Sequence, residues 1–139
     1  MKTENSSGIA TFNAEVSMTT WERKLVVAGA SAGGVKKSTV DTDVPIGVLL
    51  NAPAANENAS VRLLNDKGSC RMEAKGVIAL GAYVIPALVA TAGDIGRIRT
   101  MTGVSSETVY IVGIALEAST ADGDRIEEML MPAIQRVIA

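Results

Sequence analysis

Two stretches of this chain match one another without a gap. PIGVLLNAPAANENASVRLL (residues 45–64) aligns with IVGIALEASTADGDRIEEML (residues 111–130), so that Gly47 falls on Gly113, Leu50 on Leu116, Ala52 on Ala118 and Leu64 on Leu130. Upstream, Leu25-Val26-Val27 followed by GGVKKST parallels Tyr83-Val84-Ile85 followed by IGRIRTM. Internal self-similarity of this kind marks one supersecondary unit used twice. Each half runs as strand, Gly-containing loop, short basic strand, apolar strand, small-residue turn, strand. The expected fold is therefore all-β: a small closed or nearly closed barrel built from two pseudo-repeated halves, about residues 24–75 and 76–131. Closure removes the exposed sheet edges that a small β protein must otherwise protect.

The local pattern supports strands. Short apolar runs at residues 24–28, 35–39, 46–50, 60–64, 69–74, 82–85, 97–101 and 109–116 are separated by Gly, Asn and Asp clusters, the punctuation of turns. Residues 125–131 form the last strand of the repeat. Residues 124–139 also carry a helical stripe (Ile126, Met129, Leu130, Ala133, Ile134, Val137), but Pro132 interrupts it. The strand is accordingly taken to Met131, with a tail or short helical turn beyond. Residues 1–20, rich in Ser, Thr, Asn and Glu, show no clean period and are expected to form an extended N-terminal arm, leaving 21–139 as a single barrel domain. Phe12 and Trp21 are the large apolar residues of the arm and its junction, and are the candidate partner-binding residues.

At 139 residues the chain suits one domain with its own core, and 47% hydrophobic content with 20% charged excludes a disordered chain. Net charge is −2, which gives no basic field for nucleic acid. With no histidine, imidazole acid–base or metal chemistry is ruled out. A single cysteine, Cys70, excludes an intrachain disulfide and a Cys-rich zinc site. Phe12, Trp21, Tyr83 and Tyr110 are the only aromatics, too few for a sugar cleft or a base-stacking platform. The most apolar stretch, 77–92, is too short to span a bilayer, and no segment resembles a signal sequence.

The remaining motifs read as structure. No S-x-x-K pattern offers a serine nucleophile a base, and Cys70 sits in an alternating strand as a core residue. Asp41/Asp43, Asp122/Asp124 and Glu127/Glu128 are close acidic sets without metal-loop spacing. GASAGG (29–34) lacks the P-loop pattern and lies between strands, so it is a hairpin loop. Lys36, Lys37, Arg97 and Arg99 occupy equivalent places in the halves and are expected on solvated strand faces. No catalytic, cofactor-binding or metal-ligating residue is assigned, and no cofactor is expected.

The two repeat stretches, together with VIALGAYVIPA followed by GDIGRI, resemble the small β-barrel (β-tulip) decoration or cement proteins of tailed-phage heads, over about residues 22–131. The resemblance implies a structural virion protein with no enzymatic activity. It would be made in the host cytoplasm, bind major capsid protein on the outer surface of an assembled capsid, and act there as a homotrimer, with no nucleic-acid or membrane partner. Two alternatives are a virion-borne host-surface adhesion module and a small trimeric β-barrel enzyme.

Overall fold

The computed structural model describes residues 8–39, 43–87, 92–103 and 106–138. Ten strands account for the regular structure: β1 (Ile9–Ala14), β2 (Leu25–Ala28), β3 (Gly34–Lys37), β4 (Gly47–Leu49), β5 (Asn58–Leu63), β6 (Ser69–Glu73), β7 (Tyr83–Pro86), β8 (Ile98–Thr100), β9 (Thr108–Ala115) and β10 (Arg125–Val137). A 3-10 turn at Ala92–Asp94 is the one helical element among the described residues. The all-β expectation and the closed barrel hold.

The way the halves use the repeat differs from expectation. They do not share one barrel. The first five strands close by themselves in the order β1-β3-β2-β4-β5, and the last five form a separate sheet, β6-β10-β9-β7-β8. Going round the barrel from β1 through β5 gives β1-β5-β4-β2-β3, the same order with β6 standing for β1, β10 for β5, and so on. The barrel closes through a parallel pairing of β1 with β3, Ala14 opposite Val35. The second sheet has a single parallel bridge at the same place, Ala74 opposite Ile98. Loop hydrogen bonds repeat as well. Ala14 N–H donates to Glu57 O (2.9 Å) and Ala74 N–H to Asp124 O (2.7 Å); Met18 donates to Pro53 O (2.8 Å) and Ile78 to Ser119 O (3.1 Å); Arg23 donates to Leu49 O and Gly81 to Ala115 O, both at 2.8 Å.

The boundary between units falls between β5 and β6, so residues 69–74 open the second unit instead of closing the first. Their counterpart is β1, and residues 9–14 are a barrel strand where an arm was expected. β1 runs antiparallel to β5 from Ile9↔Arg62 to Asn13↔Asn58. Its inward positions are Ala10, Phe12 and Ala14, matching Cys70 and Met72 of β6 and Ala74 just beyond it. The physical cause is the partner: β5 offers an unpaired edge, and burying Ala10 and Ala14 outweighs the polar residues between them, which face solvent. Residues 1–7 lie outside the described residues.

The last strand also extends further than expected. Residues 132–137 continue β10, paired to β9 as far as Val137↔Thr108, with a register shift between Leu130 and Ile134. Pro132 sits in that shift, where a missing N–H interrupts no regular ladder. A helix would gain nothing here, because Ile134 and Val137 of the proposed stripe are 45% and 58% exposed.

The cores are linked. Met18, Trp21, Val26, Val35, Leu49, Ala59 and Val61 fill the first barrel. The second core joins Met72, Ala74, Ile78, Val84, Ile98, Val112, Ala115, Ile126 and Leu130 to Leu25, Val48 and Leu64 of the first unit. Residues 23–25 lie between β6 and the turn before β8: Leu25 N–H donates to Gly96 O (2.8 Å) and Glu73 N–H to Arg23 O (3.0 Å).

Candidate functional site

The two rings chosen from the sequence belong to the interior. Phe12 is half-buried against the first core. Trp21 is buried, its Nε1–H donates to Leu25 O (2.8 Å), and the ammonium groups of Lys24 and Lys37 lie 4.9 and 5.0 Å from its ring centroid. Gly96 of the second unit abuts the ring so closely that a Cβ there would stand 2.3 Å from it. Trp21 therefore packs where the two units meet.

The groups weighed for chemistry are engaged in structure. Burial pushes the Cys70 thiol up, against the opposing influence of Arg23, which disfavours a nucleophilic thiolate. Asp122 is held below the usual carboxylate range chiefly by the Gly76 N–H, and Asp124 by the N–H groups of Thr120 and Ala121. Both are turn-building acceptors. Asp41 lies outside the described residues, while Asp43 accepts from Thr39 N–H (2.9 Å). Among the described residues no cluster of acids and cysteine could hold a metal ion. In the glycine loop, Glu15 accepts from the N–H groups of Ala30 (2.9 Å) and Ser31 (2.8 Å). A carboxylate of the chain itself thus takes the donors that an incoming phosphate would need.

Of the basic residues expected on solvated strand faces, Lys36 is exposed, but Arg97 and Arg99 are largely buried because each is drawn into ion pairs. Arg97 meets Glu73 (3.1 Å), Asp122 (3.3 Å) and Asp94 (3.7 Å), while Lys24 also reaches Glu73 (3.6 Å) across the unit boundary. Arg99 pairs with Glu107 (3.6 Å).

What the repeat does leave open is a face. In the first unit, Leu25, Val48 and Arg62 form a cross-strand row on the outside of the barrel. Leu25 and Val48 are fully buried because the second unit covers them. The equivalent row of the second unit is Tyr83–Ile114–Met129. It is far less covered: Tyr83 is 46% and Met129 41% exposed, with the half-buried Ile114 between them. Leu116 and the loop residues Val77 and Leu80 are also exposed apolar residues beyond the same end of β9 and β7. Polar groups border the row: Arg71 pairs with Glu117 (3.3 Å), and Ser69 donates to Glu127. An apolar centre with a charged rim is the anatomy of a protein-binding surface. Alternation alone would have placed Tyr83, Ile114 and Met129 on one side of a sheet; which side lacks a cover needed the fold.

No family model matches the sequence, and no curated protein matches it. Among solved structures, the fold is similar to the N base of head fiber gp8.5 in bacteriophage phi29. The match has a TM-score of 0.64 at 13% sequence identity and covers 90% of this chain and 94% of that one.

Proposed function

We propose that this chain is a structural protein of a phage virion that binds the outer surface of the assembled head and stabilises it. The observation that carries the proposal is the fold shared, over nearly the whole chain, with the base of a phage head fiber. The open Tyr83–Ile114–Met129 face supports it by supplying a surface for major capsid protein. β9 is paired on both sides, to β10 and β7, so the backbone that carries these side chains needs no ordering on binding. Trp21 serves that contact indirectly, by packing against Gly96 of the unit that carries it, and Phe12 by filling the first barrel. The proposal gives the chain no catalytic step and no cofactor.

Stabilisation follows from linkage. A ligand that binds the assembled shell and not free subunits shifts the equilibrium toward the shell by mass action. Copies repeated over a symmetric lattice multiply a modest individual gain, and clustering as a homotrimer would add avidity at each site. A second role is favoured by the likeness to a fiber base in particular: the domain would serve as an anchor for further protein projecting from the head.

Co-sedimentation tests the proposal. The purified chain should pellet saturably with undecorated heads and stay in solution with free major capsid protein. Failure to bind heads, or equal binding to free subunits, would refute recognition of an assembled site.

A further inference from the structure

Glu128 has no acidic counterpart in the first unit: strand pairing puts it in the place of Val61, one residue off the ungapped alignment, which sets it on Arg62. It lies on β10 between Ile126 and Leu130 on the inward face, and its side chain is fully buried. Its strand partners are Cys70 on β6 and Ala115 on β9. In the first barrel the same row is Ala10, Val61 and Leu49. A carboxyl group therefore occupies the place of a valine methyl pair. Neither carboxyl oxygen has a hydrogen-bond partner among the described residues.

The surroundings offer little to an anion. β7 and β8 contribute Val84 and Ile98 to this core, and the first unit contributes Leu25, Val48 and Leu64, all apolar. The titratable group opposite Glu128 is the Cys70 thiol. The cations on that side are Arg23, whose Nη1 lies 3.8 Å from Cys70 Sγ, and Arg62, whose charge also reaches the thiol. Neither of them bonds to Glu128. An ionised carboxylate in such a place costs several kcal/mol or more unless it is paired, so the group keeps its proton.

We propose that Glu128 makes the second unit a proton-gated half of the molecule, which closes around the neutral carboxyl and opens along β6 and β10 when that carboxyl ionises. Burial carries the group from the ordinary 4.5 up to about 8. Below the ordinary value both open and closed forms hold the proton, and the closed form keeps its full advantage. Between that value and about 8 only the open form releases the proton, so opening becomes about tenfold easier per pH unit, and above that range the effect levels off. Across the whole interval the opening constant rises by roughly three thousandfold. The first barrel, with Val61 in that place, has no such dependence. Because Glu128 points inward from the strand on which Met129 points outward, opening would also dismantle the exposed face. The gating itself does not depend on the capsid proposal.

Hydrogen exchange of the full chain, corrected for intrinsic exchange chemistry, tests it at about pH 5, 7 and 9. The expected result is loss of protection in β6 and in residues 125–130 as pH rises, with β1 and β5 unchanged. Glu128→Gln and Glu128→Val should each remove the pH dependence. Constant protection in the wild-type chain, equal loss in both units, or an unchanged response in the two variants would overturn the proposal.

Discussion

The repeat places a glycine where two strands approach too closely for any side chain, and it does so in both units. A Cβ on Gly113 would stand 2.6 Å from the carbonyl oxygen of Met129. One on Gly47 would stand 2.5 Å from Arg62 O and 2.4 Å from Val61 Cγ1. In both cases a carbonyl oxygen of the paired strand is among the obstacles, so no rotamer change alone relieves them; the strands must part by several tenths of an ångström. Gly47→Ala and Gly113→Ala should each cost about 1–3 kcal/mol, the range for forcing an extra carbon into a packed site. Gly47→Ala should be the costlier, since it also meets the buried Val61. Gly93→Ala is the control: a Cβ there has nothing within 4 Å, and the change should stay within about 0.5 kcal/mol. Urea unfolding followed by Trp21 fluorescence and far-UV circular dichroism measures all three. If the two strand glycines tolerate alanine as well as Gly93 does, the close approach of strands at equivalent positions is wrong, and the structural reading of the repeat fails with it.

Trp21→Ala should destabilise by about 3–5 kcal/mol, as a buried aromatic truncated at the junction of two cores, and should broaden the unfolding transition by uncoupling the units. Leu25→Ala should cost about 2–5 kcal/mol in the same assay, although its equivalent, Tyr83→Ala, should cost far less because that row is open. The Glu15 carboxylate is held below its ordinary range by the N–H groups of Ser31 and Ala30, so its contribution is present above that range and lost as pH falls through the depressed value. Glu15→Gln should therefore lower the urea midpoint at neutral pH and converge with the wild type in acid. Met129→Lys should leave the unfolding midpoint nearly unchanged while weakening head binding at least tenfold by co-sedimentation; undiminished binding would exclude the exposed row as the contact.

Much of the strand pattern could be taken from the sequence because its inward residues are large and β-branched. Inward-facing Val26, Val35, Val61 and Val84 stand out against the Gly and Asp of their turns. β1 was hidden because two of its three inward positions are alanine, which differs little from Ser or Thr in apparent hydrophobicity. Only alignment of Ala10, Phe12 and Ala14 with Cys70, Met72 and Ala74 would have exposed it. The repeat was visible, yet whether its copies complete one barrel or build two sheets depends on which edge strand meets which, and that information is spread over distant residues such as Ala14 and Val35. Trp21 could be recognised as important but not as covered, since its cover, Gly96, comes from the other unit. Glu128 was visible only as half of a Glu-Glu pair. The alternation Ile126, Glu128, Leu130 does mark it as inward, a conflict between residue type and position that points to a role beyond packing.

The proposed seat of this fold is the outside of a phage head, contacted through the open face of its second unit. Electron cryomicroscopy of heads before and after saturation with the protein tests it most directly. The expected result is added density on the outer surface that fits the two five-stranded units, with Tyr83, Ile114 and Met129 turned toward the shell. Saturated heads without added density, or density with that row facing solvent, would contradict it.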